Sequence, residues 1–262
     1  MSINAYWHAF AGILHRELLR FVHQRTRFFS ALVRPLLWLA VFAAGFRAAL
    51  GIAIIPPYET YITYEVYIAP GLAAMVLLFN AMQSSLSMVY DREMGSMRVL
   101  LMSPLPRWYL LLCKLIASSL VSLPQVYAFL AIAWFFDVQP PLMGYLWVAP
   151  ALLLGGVLLG AIGLFISSFI RQLENFAGVM NFVIFPMFFM SSALYPLWKM
   201  QESSEWLYWL CTINPFTFCV ELIRFALYDQ FNGTALAVVT GGLVAFTLLA
   251  VLAFNPQRGA MR

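Results

Sequence analysis

Four polar side chains interrupt one long apolar stretch of the sequence and are the first candidates for chemistry. They follow one another at helical spacing and are Asn80, Gln83, Ser84 and Ser87. A helix places them on one face, and in an apolar solvent such groups have to face protein or a water-filled cavity. The stripe therefore indicates either the wall of a passage for a substrate or a set of hydrogen bonds between helices. Both interpretations stay open.

A second candidate set lies in a later apolar stretch and is mostly aromatic. It consists of Asn181, Phe185 and Phe188, followed by Phe189 and Met190. Aromatic and Met side chains suit an amphipathic or apolar ligand. Packing against lipid explains any one of them equally well, so these residues also keep two interpretations.

The segment from Asp91 to Arg107 mixes charged and apolar residues most densely. Its candidate contact residues are Asp91, Arg92, Glu93, Gly95, Met97, Arg98 and Leu101. Charges open the segment, Met and Leu follow at helical spacing, and Ser103-Pro104 with Pro106 ends the helix. A short amphipathic helix between two apolar stretches is suited to transmitting a push from a bound protein. A solvated connector would explain the charges but not the apolar cluster beside them.

Glu221 and Arg224 are three residues apart and can form an ion pair on one helix face. We predict a structural role for the pair, with ligand binding as the alternative. The histidines all precede the first long apolar stretch and lack the spacing of a helical metal pair, so neither a metal site nor an enzyme is indicated. The sequence also lacks a GxxxxGK[ST] motif. No cofactor is therefore expected on this chain, and the energy for any active process has to come from elsewhere.

The composition indicates whether these residues are surrounded by water or by lipid. Hydrophobic residues make up 63% of the chain and charged residues 10%, against roughly a quarter of charged residues in a soluble domain. Lipid accepts such a surface, whereas a soluble fold would have to bury it. A bilayer core needs roughly 20 apolar helical residues to be crossed. Six stretches qualify: Phe28–Phe46, Tyr67–Val89, Leu110–Phe136, Leu146–Phe169, Phe176–Tyr195 and Ala235–Phe254.

Two further apolar segments are not predicted to be simple transmembrane helices. Residues 1–27 place apolar side chains at spacings of three and four, which predicts an amphipathic helix on the inner membrane surface. The stretch Trp206–Leu227 contains Asn214-Pro215 and the Glu221–Arg224 pair, which predicts a broken re-entrant element on the outer side. The expected fold is an all-α membrane protein with six transmembrane helices, this interfacial helix, and a re-entrant outer segment between spans five and six.

The distribution of Lys and Arg orients these elements. Most of them fall in the segments that share one side with both termini, and positively charged loops stay on the cytoplasmic side. Both termini are therefore expected in the cytoplasm. Residues 1–27 and one transmembrane domain over 28–262 account for the chain.

Three blocks resemble the ABC-2 family of ATP-binding-cassette transporter permeases. They are Asp91-Arg92-Glu93 through Ser103-Pro104 and Arg107, then Phe185-Pro186 through Tyr195-Pro196-Leu197, and finally Asn214-Pro215-Phe216-Thr217 through Arg224. The blocks occur in the family's order, and the resemblance covers essentially the whole chain. The sequence is also similar to a subgroup associated with quinoprotein alcohol dehydrogenase systems.

The resemblance implies a half-transporter that works as a homodimer in the bacterial inner membrane. Two separate ATPase subunits, which bind ATP and Mg, would contact the Asp91 segment as a coupling helix. Spans two and five would line the passage at the dimer interface, and the direction would be export of an amphipathic or apolar substrate. The alternative is an ion-coupled carrier or channel, which needs an ionisable residue within a span and often shows internal repeats. The acidic residues cluster at loops, with only Glu221 ambiguous, and we find no repeat.

Overall fold

The computed structural model describes residues 3–23, 25–46, 56–59, 62–94, 105–170 and 172–253. Within these ranges the chain is helical and contains no β-strand. The predicted all-α class is confirmed. The physical reason is that a helix satisfies its backbone hydrogen bonds within its own segment, as an apolar environment requires.

Ten α-helices follow one another in the described ranges. They are α1 Ile3–His23, α2 Arg25–Phe46, α3 Tyr64–Glu93, α4 Arg107–Ala133, α5 Leu142–Phe169, α6 Leu173–Phe189, α7 Leu197–Ser203, α8 Glu205–Ile213, α9 Pro215–Leu227 and α10 Gly233–Ala253. A short 3₁₀ turn, Trp134–Phe136, extends α4.

Four of these helices are long and apolar enough to cross a membrane, namely α3, α4 with its extension, α5 and α10. The bent pair of α8 and α9 makes a fifth if both belong to one span. The apolar part of α2, Ala31–Phe42, is about 18 Å long and α6 about 26 Å, because a helix rises 1.5 Å per residue. Both are shorter than a hydrocarbon core of about 30 Å. The structure thus supports four or five spans, and the count of six stays a prediction.

The centre of the bundle is α5, which contacts α3, α4, α9 and α10. A small residue permits the closest of these approaches, since a Cβ at Gly144 would overlap the carbonyl oxygen of Leu227 at the end of α9. The most buried of the long helices is α3. In its apolar 18-residue stretch, 78% of the residues are buried, whereas only 17% are buried in the corresponding stretch of α10. The peripheral α10 therefore presents most of its apolar surface outward.

The N-terminal helix α1 packs against the beginning of α4. Ile13 joins a small apolar cluster with Leu110 and Cys113 of α4, and the Tyr109 hydroxyl donates a hydrogen bond of 2.7 Å to the carbonyl of Tyr6. Trp7 is 66% exposed on the same helix. The apolar surface of α1 is thus divided between the protein and the surroundings.

The sequence correctly predicts a break at Asn214-Pro215, where α8 and α9 meet at 74°. Asn214 caps α9 by accepting a hydrogen bond of 3.0 Å from the backbone N–H of Phe216. Its side-chain NH₂ donates to the carbonyls of Met187 and Met190, at 2.7 Å and 2.6 Å. The break is therefore attached to the end of α6. Its depth in a membrane, and with it the re-entrant assignment, stays a prediction.

Candidate passage and coupling region

The polar stripe of α3 begins with a hydrogen bond to α4. The side-chain NH₂ of Asn80 donates to the side-chain oxygen of Gln125, and both residues are buried. Gln125 was not among the predicted residues. Its spacing from Ser118 and Ser122 in the third apolar stretch is the signal that could have found it, because i, i+4 and i+7 share a helix face.

A small polar cavity follows this hydrogen bond between α1, α3 and α4. Its volume is about 50 Å³, which is enough to hold water. Three of the four predicted stripe residues line it, together with side chains of α4 and α1, and its polar lining residues are Asn80, Ser84, Ser87, Ser118, Ser122, Gln125, Glu17 and Arg20. The cavity brings most of the stripe together within a single copy of the chain.

Gln83 lies on a different side of α3. It lines a second cavity of about 40 Å³ between α2 and α3, which Asn80 also borders. Arg34 of α2 reaches this cavity, and its guanidinium lies 3.9 Å from the centre of the Phe79 ring. A cation over an aromatic face is a favourable contact. The stripe therefore spreads over two neighbouring sites on α3.

The predicted residues of α6 divide into an exposed and a buried group. Asn181 is exposed and Phe185 is 46% exposed, whereas Phe188 is 1% exposed. The Phe188 ring lies in the core beside Phe216 of α9, with ring centres 6.2 Å apart. Neither cavity along α3 is lined by a residue of α6. Within one copy of the chain, the two candidate sets for the passage thus do not meet in these cavities.

The first of the predicted coupling residues, Asp91, is buried among cations. Its carboxylate accepts from Lys114 Nζ of α4 at 3.4 Å and from Arg20 Nη2 of α1 at 3.3 Å. Lys114 is almost fully buried. A buried ion pair is costly to break, because removal of one partner leaves the other charge in an apolar place. Asp91 therefore joins three helices at one end of the bundle.

The next two residues attach the end of α3 to two more helices. Arg92 Nη2 donates to the carbonyl of Ser167 in α5 at 2.8 Å. The Glu93 carboxylate accepts from the backbone N–H of Leu173 at the start of α6, at 3.3 Å. Four helices thus meet the last turn of α3. The other predicted coupling residues, Gly95, Met97, Arg98 and Leu101, lie outside the described residues.

The predicted pair of Glu221 and Arg224 lies at the opposite end of the bundle. Arg224 Nη1 donates to the Glu221 carboxylate, and Nη2 donates to the carbonyl of Ser192 at 2.7 Å. The guanidinium lies 4.2 Å from the centre of the Tyr67 ring, and the Tyr67 hydroxyl donates to the same Ser192 carbonyl at 3.0 Å. These contacts hold the turn that follows α6.

A tyrosine next to this turn keeps a neutral hydroxyl. Tyr58 donates a hydrogen bond of 3.3 Å to the carbonyl of Val66, and burial raises the pKa of Tyr58 above its usual range. In the part of the chain that the structure describes, no group of three or more His, Cys, Asp or Glu side chains could hold a metal ion.

An all-helical chain with several membrane-length apolar helices and buried polar contacts between them defines a multi-pass membrane protein. The family model described as "ABC-2 type transporter" matches residues 8–228, and the chain belongs to that family. It is therefore a membrane-spanning permease of a transporter. The resemblance expected from the three sequence blocks is thereby confirmed.

Individual relatives agree with this family. The chain is 28% identical over 206 residues to "Putative transport permease ycf38" of Cyanophora paradoxa, covering 77% of this chain and 67% of the relative. It is 24% identical over 255 residues to the protein of the same name from Porphyra purpurea, covering 95% and 85%. It is 30% identical over 164 residues to "Probable multidrug ABC transporter permease YbhR" of Escherichia coli K12, covering 61% and 44%.

Proposed function

We propose that the chain is the permease subunit of an ATP-driven exporter, in which two copies form the passage and two separate ATPase subunits supply the energy. The observation that carries this proposal is the set of contacts at the end of α3. Asp91, Arg92 and Glu93 connect α3 to α1, α4, α5 and α6. A force on the residues that follow Met94 would therefore reach five helices at once.

The charged contacts favour movement of this end as a unit. The segment after Met94 corresponds to the block that resembles the family's coupling helix, where an ATPase subunit would bind. Closure of two ATPase subunits around ATP and Mg would press on this segment and tilt α3 and α4 together. Alternating access of this kind needs rigid connections at the driven end and a passage that can open elsewhere.

The exposed face of α6 supports a homodimer with the passage between the copies. Phe182 is 79% exposed and Phe185 is 46% exposed, next to the exposed Asn181. The described contacts of α6 with other helices are mainly with α3. A second copy packed here would cover the apolar rings and bring Asn181 to a shared interface. Facing lipid is the other use of such a surface.

The proposed setting is the bacterial inner membrane, with both termini in the cytoplasm and the Arg224 end of the bundle outside. Here α1 would lie in the inner interface, and its exposed Trp7 suits that position. The bent α8 and α9 would form a re-entrant outer segment between spans five and six. The substrate would be amphipathic or apolar, in keeping with the name of the multidrug permease relative from Escherichia coli. The association with quinoprotein alcohol dehydrogenase systems stays a prediction.

The coupling test compares two charge reversals in the complex of the permease with its ATPase, reconstituted in proteoliposomes. Glu93→Lys should uncouple ATP hydrolysis from transport of an amphipathic dye such as ethidium while the complex still assembles. Glu174→Lys is the matched control, because Glu174 is an exposed acid in the first turn of α6. Equal coupling in both variants, or failure of any ATPase to assemble with the permease, would contradict the proposal.

The dimer test uses two positions of equal exposure. Phe182 of α6 and Phe231 before α10 are both 79% exposed. Under mild oxidation, Phe182→Cys should give a covalent dimer in the membrane, and Phe231→Cys should not. Cross-linking at both positions or at neither would contradict the assignment of α6 to the dimer interface.

An ion-coupled carrier remains the second candidate because of one observation. Lys114 and Asp91 form a buried ion pair within two helices long enough to cross the membrane, and carriers use such ionisable residues. The two candidates differ in their energy source. Dye transport that continues with ATP after ionophores collapse all ion gradients supports the exporter. Transport that stops with the ionophores, with or without ATP, supports the carrier.

A further inference from the structure

A larger cavity lies at the end of the bundle away from Asp91, outside the proposed passage. Its volume is about 390 Å³, within the range of small-molecule binding pockets. It lies between α5, α9, α10 and the connection from α9 to α10. Its apolar lining residues include Ala151, Leu154, Leu222, Ala226 and Leu236.

The polarity of the cavity changes from one end to the other. Trp147 and Phe231 stand on its lining and are 57% and 79% exposed. An exposed Trp near the end of a membrane helix, such as Trp147, is typical of the interface with the head groups. Leu154 follows Trp147 by seven residues of α5, so the cavity extends about 10 Å from that level along the helix. This is the shape of a site for a chain that enters from the interface.

The polar rim carries a negative charge. Asp229 lines the cavity at this end, and the lining contains neither Lys nor Arg. A phosphate alone would thus meet no cation here, whereas an ammonium group would meet a carboxylate. Asn232, also on the rim, accepts from the backbone N–H of Ala235 through its amide oxygen at 2.9 Å. Its NH₂ group makes no hydrogen bond among the described residues and is a donor for a phosphate or ester oxygen.

We propose that this cavity binds one acyl chain of a membrane phospholipid whose amine-bearing head group lies against Asp229. The lipid would stand between the peripheral α10 and the helix α9, which also carries Arg224. It would therefore brace the outer end of the bundle and would not be cargo of the passage. The proposal goes beyond the transport function and does not depend on the identity of the exported substrate.

The test measures which lipid the full chain retains. The purified protein is equilibrated with equimolar phosphatidylethanolamine, phosphatidylcholine and phosphatidylglycerol that carry the same acyl chains, and retained lipid is read by native mass spectrometry. We expect one retained lipid per chain, with phosphatidylethanolamine preferred over phosphatidylglycerol by roughly three- to tenfold, as one partly screened ion pair allows. Equal retention of the two, retention of detergent alone or no retained lipid would overturn the proposal.

Two variants separate the chain site from the head-group site. Ala226→Trp fills the apolar part and should reduce retention by about tenfold, whereas Leu248→Trp on the 58% exposed surface of α10 should not. Asp229→Asn should keep the lipid and abolish the preference for the amine. Asp229 has a positive φ of 57°, and Asn tolerates that conformation, so this variant should fold even if Ala226→Trp does not. An unchanged preference in Asp229→Asn would contradict the head-group assignment.

Discussion

The two ends of the helical bundle share two kinds of contact but differ in which one predominates: the Arg224 end also has the Glu221–Arg224 ion pair, and the Asp91 end also has the bond from Arg92 to the Ser167 carbonyl. At the Arg224 end, side chains donate to backbone carbonyls: Arg224 and Tyr67 to Ser192, and Asn214 to Met187 and Met190. At the Asp91 end, a carboxylate is shared between the cations of Arg20 and Lys114. A bond to a carbonyl fixes one backbone geometry, whereas long ionic side chains follow a partner that moves. The first end is built to hold shape, and the second is suited to transmit motion.

The largest effect is expected at the end that holds shape. Arg224→Ala leaves the partly buried Glu221 carboxylate without its cation and removes one of the two donors to the buried Ser192 carbonyl. This loss should cost about 3–5 kcal/mol. The measurement is thermal unfolding of the purified protein in detergent. Arg224→Lys is the control, because it keeps the charge but loses the planar guanidinium that binds two acceptors. Its melting temperature should fall between those of the wild type and Arg224→Ala. A melting temperature of Arg224→Ala equal to wild type would show that this end is not a fixed structure.

The second effect tests whether the Asp91 end is an ionic unit. Asp91→Ala leaves Lys114 unpaired, and we expect a loss of about 2–3 kcal/mol in stability. Lys114→Met removes the unpaired charge, so the double variant Asp91→Ala, Lys114→Met should regain much of the lost stability. The coupling energy between the two substitutions should be about 1–3 kcal/mol. Thermal unfolding of the four proteins gives this cycle. Additive losses would mean that the two side chains do not act together.

Local patterns predicted the parts of the fold that depend on local physics. The length of the apolar runs predicted α3, α4, α5 and α10, and Asn214-Pro215 predicted the bend, since Pro cannot continue the preceding helix. Helical spacing also put the polar residues of α3 near one another. The exact partners were not predictable, because Gln125 and Lys114 are set by how two helices rotate against each other. One sequence carries no record of that rotation.

The same limit explains the division of α6 and the charged segment. Phe185 and Phe188 are equally apolar in the sequence, yet one is exposed and the other is packed on α9. A separation of three residues turns the side chain far enough to meet a different neighbour. Asp91, Arg92 and Glu93 looked like contacts for a partner protein because of their charges. Their intramolecular partners lie in α1, α4, α5 and α6 and become visible only when those helices are packed.

A third, smaller effect lies between the two ends of the bundle. Asn80→Leu removes the donor to Gln125 and leaves a buried amide unsatisfied, at a cost of about 1–2 kcal/mol. If the contact only joins helices, the Asn80→Leu, Gln125→Leu double variant should regain both stability and transport of the dye. If the stripe lines the passage, stability should return while transport stays low. Thermal unfolding and dye transport, both measured on the wild type, Asn80→Leu and the double variant, distinguish the two interpretations of the stripe.

The smallest expected effect compares the two ends of the bundle by how their stability depends on salt. The Arg20 side chain is 37% exposed where it meets Asp91, and an exposed ion pair contributes less than about 1 kcal/mol. Arg20→Gln should therefore lower the melting temperature only slightly, and this difference should shrink as NaCl is raised, because exposed charges are screened. Tyr67→Phe is the counterpart at the other end, since it removes a neutral hydrogen bond to Ser192, and its effect should not depend on salt. A salt-independent loss in Arg20→Gln would mean that Arg20 holds the Asp91 end by packing and not by its charge, which would contradict the ionic connection between α1 and α3 on which the coupling proposal rests.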